Sequence, residues 1–296
     1  MSFQCRTISI FKTTLLLTVL ACFGWGGQVF AQLTDLELDG NLREQPATSG
    51  EDWDTSLTAP NVAGVNNLAI PSAAILRTGA VLDPDGQTLF TQGSKDILDI
   101  PEWRWTDQSA PDKTEIQHGF AALYPGGRFY AGADRNATNG DAFIGVWLLQ
   151  DETFAKNPDG TFSGRHILGD ALVLSDFTGG GGTASPRVYF WNPGAAAFGG
   201  VKVAATIESV TVSGAVFGIV NTANLKPNYW TYIGKFNPTD SIPPNGFFEG
   251  GVDFGALGLP IPCASNLVIE TRASSSITAE LKDFLLHTFL VKPEPS

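Results

Sequence analysis

The chain has 296 residues, 43% of them hydrophobic and only 16% charged, with a net charge of −12. That length holds one large or two small domains with a real core. The acidic balance argues against a nucleic-acid or anionic-membrane partner and leaves cations and neutral partners such as sugars open. Charged residues fall below the roughly 25% usual for globular domains. The 33 Gly and 18 Pro favour strands joined by turns over helices.

The first elements are those of export. Arg6 and Lys12 precede an apolar run from Thr13 to Trp25, and Val29-Phe30-Ala31 ends in small or short residues before Gln32. This order is that of a secretory signal peptide cleaved after Ala31. The run is shorter than the ~20 residues of a membrane span, and no later stretch is longer. Residues 1–31 are therefore expected to be signal and 32–296 one domain, with no transmembrane segment. The expected location is periplasm, cell surface or medium. Val19-Leu20-Ala21-Cys22 loosely fits a lipoprotein processing site at Cys22, with Leu20 as a poor residue for it. Cleavage after Ala31 would carry off Cys5 and Cys22, which predicts no intramolecular disulfide beside Cys263 in the mature chain.

Further along, Ala74 to Leu82 reads as a strand ending in the turn Asp83-Pro84-Asp85-Gly86, in which Pro presets φ and Gly accepts positive φ. Ser94 to Lys113 reads as charged loops around Trp103 and Trp105. Ile116–Tyr124, Pro125-Gly126-Gly127 and Arg128–Ala133 form a hairpin pattern. Strands are expected at Phe143–Gln150, Ala171–Phe177, Arg187–Trp191 and Tyr229–Phe236. Two more are expected in Val201–Val220, split near Ser213-Gly214. Asp253 is placed to cap one helical turn, stopped at Gly258. Ile277–Phe289 fits both periodicities and is read as a closing strand. Short strands with turns between them predict an all-β, jelly-roll-like β-sandwich with long loops and very little helix.

Several segments in chain order resemble a family of secreted, mostly bacterial proteins of uncharacterised function. They include Leu38-Asp39-Gly40-Asn41, Gly93-Ser94-Lys95-Asp96, Gly132-Ala133-Asp134-Arg135, Ser175-Asp176-Phe177-Thr178, Glu249-Gly250-Gly251-Val252-Asp253 and Leu281-Lys282-Asp283-Phe284. Asp39-Gly40 followed by Trp53 also resembles the opening of jelly-roll carbohydrate-binding modules. The first resemblance implies no activity; the second implies a glycan partner.

Three groups of residues carry candidate chemistry. Asp134, Asn136, Asn139 and Asp141 offer hard oxygen atoms on a glycine-bearing loop, as calcium requires. The spacing is not that of an EF-hand, and the competing reading is a loop of Asx turns. Trp103 and Trp105 would share a face of an extended stretch and could stack on the C–H face of a polysaccharide. Arg135 could grip hydroxyls or a carboxylate bidentately. Third, Lys95, Asp96, Asp112, Lys113, Glu270, Arg272, Lys282 and Asp283 sit beside strand ends, which suits ion pairs that fix loops.

Enzyme signatures are scarce. The chain has no Gly-x-Ser-x-Gly elbow and no phosphate-binding loop, and His118, His166 and His287 are far apart. The leading expectation is a secreted or surface, non-catalytic binding module, carbohydrate-binding and calcium-supported. The alternatives are a polysaccharide-acting hydrolase or lyase on the same scaffold, which needs only two carboxylates, and a structural surface or matrix protein.

Overall fold

The computed structural model describes residues 35–42, 52–53, 76–77, 81–83, 88–177, 183–184, 186–193, 206–210, 215–226, 232, 234, 240–272, 274–288 and 290–291. Its strands are β1 (Leu76–Arg77), β2 (Val81–Leu82), β3 (Leu89–Thr91), β4 (Arg104–Thr106), β5 (Ile116–Tyr124), β6 (Arg128–Arg135), β7 (Phe143–Leu149), β8 (Ala155–Lys156) and β9 (Phe162–Ser163). They continue with β10 (Ala171–Asp176), β11 (Thr183–Ala184), β12 (Arg187–Asn192), β13 (Thr206–Val210), β14 (Val216–Val220), β15 (Phe247–Asp253), β16 (Asn266–Arg272), β17 (Leu281–Thr288) and β18 (Leu290–Val291).

The strands form two eight-stranded sheets and one small ribbon, β8–β9. The first sheet runs β11-β14-β15-β6-β5-β1-β18, with β2 also on β5; the second runs β13-β12-β10-β7-β16-β17-β3-β4. The neighbours β6 and β15 are antiparallel in the first sheet, and their successors β7 and β16 are antiparallel in the second. A paired ribbon thus passes from one sheet to the other, as in a jelly roll. The fold is the all-β sandwich that the turn spacing predicts, and residues 31–296 are one compact unit.

Side-chain alternation sorts the strands onto two faces. Ile144, Val146 and Leu148 of β7 join Ala121, Leu123, Phe129, Ala131 and Ile269 in the core between the sheets. The intervening Trp147 and Leu149 belong to a second core, on the outer face of the second sheet, with Phe90, Trp103 and Phe162 from loops and short elements. The outer face of the first sheet is covered as well: Phe120, Tyr130 and Phe247 pack with Leu36, Leu42, Trp53 and Ile242. The central strands of each sheet are therefore buried on both faces. This is why β5 and β15 are buried at every position and why their sequences lack polar–apolar alternation.

The Gly126-Gly127 turn closes the β5–β6 hairpin with φ of 81° and 84°, values that only glycine adopts without strain. Gly132 is needed for space rather than dihedral freedom, because a β-carbon there would collide with the Phe120 ring. Asp253 does cap a turn: its Oδ1 accepts from Ala256 N at 2.8 Å and its carbonyl from Leu257 N at 3.1 Å. The ambiguous C-terminal stretch is the strand β17. The split near Ser213-Gly214, the Asp83–Gly86 turn after Asp83, and most of Tyr229–Phe236 lie outside the described residues. Cys5 and Cys22, the two cysteines that the expected cleavage would remove, lie outside the described residues.

Candidate functional site

Among the described residues, three carboxylates converge at one end of the sandwich. Asp83, Glu115 and Asp283 each offer an oxygen within 4.8 Å of the others. None is more than 3% exposed. Strand pairing builds the cluster. β2 lies along β5, and Asp83 N donates to Gln117 O at 2.8 Å, which sets Asp83 beside the start of β5. Glu115 immediately precedes β5, and its Oε2 accepts from Ala110 N at 2.8 Å. Asp283 enters from β17, where it pairs with Leu89. Its carboxylate accepts from Ile116 N at 2.6 Å and from Thr88 Oγ1 at 2.7 Å.

The electrostatics follow from this crowding. Burial, then Glu115, then Asp83 push the Asp283 carboxyl well above its ordinary range, while Ile116 N and Thr88 pull it partly back. Like charges at this separation in a low-dielectric interior cannot all stay ionised without compensation. Two species can compensate: a proton on Asp283, or a hard cation between the carboxylates. Three carboxylates are the donor type that calcium and similar ions prefer.

The calcium loop inferred from sequence has a different geometry. Asp134 and Arg135 are neighbours on β6 and point to opposite faces. The Asp134 carboxylate is buried on the outer side, where His118 Nδ1 lies at 2.9 Å and Tyr232 Oη donates at 2.6 Å. Burial and the Asp134 charge push the Tyr232 hydroxyl above its ordinary range. Asp134 is thus aimed away from Asn139 and Asp141, which are exposed, so the four residues are not brought together as expected. Asn136 instead donates its backbone N–H to Glu115 O at 2.9 Å, which places that loop beside the carboxylate cluster.

The platform residues also need correction. Trp103 is fully buried, donates Nε1–H to Lys95 O at 2.9 Å and lies edge-on to Phe90 at 5.6 Å. Trp103 is extended where it ends a 3-10 turn, Ile100–Glu102, that Asp99 caps, and it enters the second core, against which Trp105 also packs, so the two share a face that is turned inward. Trp105 is half-buried, bonded to Asn157 O at 3.0 Å, with Lys156 Nζ 4.4 Å from its ring centroid. Arg135 is interior as well. It donates to the carbonyls of Asn245 at 3.0 Å and Gly140 at 3.0 Å, and its guanidinium lies over Phe177 at 4.8 Å. Burial lowers its pKa to about 10, against a smaller upward pull from Asp141. It acts as a strut for two loops.

Two further buried networks hold the covers in place. Arg272 pairs with both Asp96 and Glu270, and all three side chains are fully buried. Asp96 also accepts from Trp147 Nε1 at 2.8 Å. Glu270 lies over Gly145 on the adjacent strand, where a β-carbon would collide with its Oε1. On the other sheet, Glu249 accepts from Asp39 N at 2.9 Å, Gly40 N at 2.7 Å and Trp53 Nε1 at 2.8 Å. The Asp-Gly and Trp picked out in the sequence thus meet at one carboxyl. Burial and then the charge of Asp52 push that carboxyl well above its ordinary range, against the Gly40 and Trp53 N–H donors.

No family model matches the chain, and no curated protein and no solved structure matches it either. Of the carboxylate cluster, the sequence singled out Asp83 as a turn residue and Asp283 as an ionic residue beside a strand end. Glu115 gave no local signal. The three are separated by up to 200 positions; β2–β5 pairing, the Ile116–Asp283 bond and the Thr88 hydroxyl between Asp83 and Asp283 bring them together.

Proposed function

We propose that the chain is a non-catalytic binding module acting outside the cytoplasm, supported by a divalent cation, calcium foremost, held by Asp83, Glu115 and Asp283. One observation carries the cation: three carboxylates buried within 4.8 Å of one another. Their clustering costs free energy that a cation would offset. The cluster ties β2, the start of β5 and β17, so a bound ion would fix the loops at that end of the sandwich. The export-type N-terminus and the acidic charge support a neutral polysaccharide as the partner. The Trp103–Trp105 platform has no part in this reading, because Trp103 is interior.

Thermal unfolding of the chain with EDTA, then with added calcium, magnesium or manganese, tests the cation. Binding to the folded state alone adds RT ln(1 + [L]/Kd), about 2.7 kcal/mol at a hundredfold excess over Kd. The expected result is a rise with cation that is absent in Asp283→Asn. In EDTA, the same variant should be as stable as the parent or more so, because it removes a disfavoured charge. No rise at millimolar cation, or an equal rise in the variant, overturns the proposal.

A further inference from the structure

The chain contains two Asn-Gly dipeptides, Asn139-Gly140 and Asn245-Gly246, and Arg135 is bonded to both. Its Nη1 donates to Gly140 O at 3.0 Å and its Nε to Asn245 O at 3.0 Å. Around this shared strut the two turns differ sharply. Asn245 has a left-handed φ of 63°. Its N–H donates to Asn221 O at 2.9 Å, and Gly246 N–H donates to Pro243 O at 3.0 Å. Gly246 is also packed tightly: a β-carbon there would sit 2.8 Å from both Ile242 Cγ2 and Pro243 O. By contrast, Asn139, Gly140 and Asp141 are all exposed. No hydrogen bond from the described residues holds the Asn139 carboxamide. Among the described residues, the close neighbour of a β-carbon at Gly140 would be the Lys113 side chain, at 3.6 Å and 3.8 Å. Among the described residues, the Gly140 amide has a single bond, to Thr138 O at 3.1 Å.

We infer that Asn139 is a site of spontaneous deamidation in the folded protein, and that Asn245, with the same following residue, is protected by the fold. Glycine at the next position matters because it puts no side chain in the path of its own nitrogen. The Gly140 nitrogen attacks the Asn139 carboxamide carbon. A C–N bond forms and closes a five-membered imide. The bond to the amide nitrogen breaks, and that nitrogen leaves as ammonia with the proton from the Gly140 N–H. Water then adds to either imide carbonyl and opens the ring to aspartate or isoaspartate. One water is consumed, one ammonia is released, and no oxidant or cofactor is needed.

The consequence is local. A new carboxylate appears beside Asp141, whose charge already acts on Arg135, and Lys113 lies within reach as its counter-ion. In the isoaspartate product the backbone gains a methylene next to Gly140, whose carbonyl holds Arg135. The fold leaves this turn free on the side that reacts and anchored on the side that follows. The reaction therefore needs the loss of one turn bond and no unfolding. At Asn245 the same cyclisation first requires local opening.

The test is incubation of the full chain, folded and in urea, in mildly alkaline buffer at physiological temperature. Isoelectric focusing and peptide mass spectrometry read the products. In the folded chain, a species with one additional negative charge should accumulate, with conversion mapped to Asn139. Conversion at Asn139 should be at least about tenfold faster than at Asn245, a ratio equal to ~1.36 kcal/mol of local opening. In urea the two sites should react at similar rates, and Asn139→Gln should abolish the folded-state species. Equal rates at the two sites in the folded chain overturn the inference. So does an intact Asn139 under conditions where both convert in urea. Ammonia loss that ends in a Lys113–Asn139 cross-link would also overturn it, because hydrolysis would then not be the outcome.

Discussion

Arg272→Met tests whether the buried ion network holds the cover of the second sheet. Arg272 is the cation shared by Asp96 and Glu270, and none of the three side chains reaches solvent. Truncating it leaves two carboxylates in the interior with no guanidinium between them. Removing one partner of a buried pair costs about 3–5 kcal/mol, far more than the intact pair contributes, because the penalty is the stranded charge. For a chain of this size that corresponds to a fall in Tm of roughly 6–20 °C, at ~2–4 °C per kcal/mol. Asp96 is also the acceptor for Trp147, so its loop and the buried Trp103 that follows should loosen first. Denaturant unfolding followed by circular dichroism gives the total. Tryptophan fluorescence should show a partial transition ahead of it. A loss below about 1 kcal/mol would refute the reasoning, since it would mean the carboxylates find water or another partner without cost.

Two more outcomes follow from the packing and the ionisation. Glu249 keeps its proton to higher pH in the folded chain than in the unfolded one, so folding takes up a proton between the ordinary carboxyl range and the raised value. Its contribution is fully present below that window and is lost as pH rises through it. Glu249→Gln should flatten the decline in stability with rising pH; an unchanged slope between pH-matched unfolding curves would sink the assignment. Gly132→Ala should lower stability by about 1–3 kcal/mol, because the added methyl overpacks the site against the Phe120 ring. A gain, from the ~0.4–1 kcal/mol that the less flexible unfolded chain supplies, would mean the ring moves aside freely.

The sequence determined what depends on neighbours along the chain. Apolar runs bounded by Gly, Pro and Asp marked β5, β6, β7, β10 and β12 as strands, and Gly126-Gly127 marked their first hairpin. Sequence reading missed β15 and β16. Their runs carry Glu249, Glu270 and Arg272, which look like surface residues until the loops that cover them are in place. The same limit applied to the sites. Asp134 and Asp141 share a loop-like stretch of sequence, yet strand alternation sends the Asp134 side chain to the far face. Trp103 and Trp105 look like an exposed pair, yet the face they share packs on the second core. Asp83, Glu115 and Asp283 have nothing in common along the chain, and strand pairing makes them one cluster. Local pattern fixes which residues can form a strand. Burial, and the price of a buried charge, depend on contacts between distant segments, and only the tertiary structure decides them.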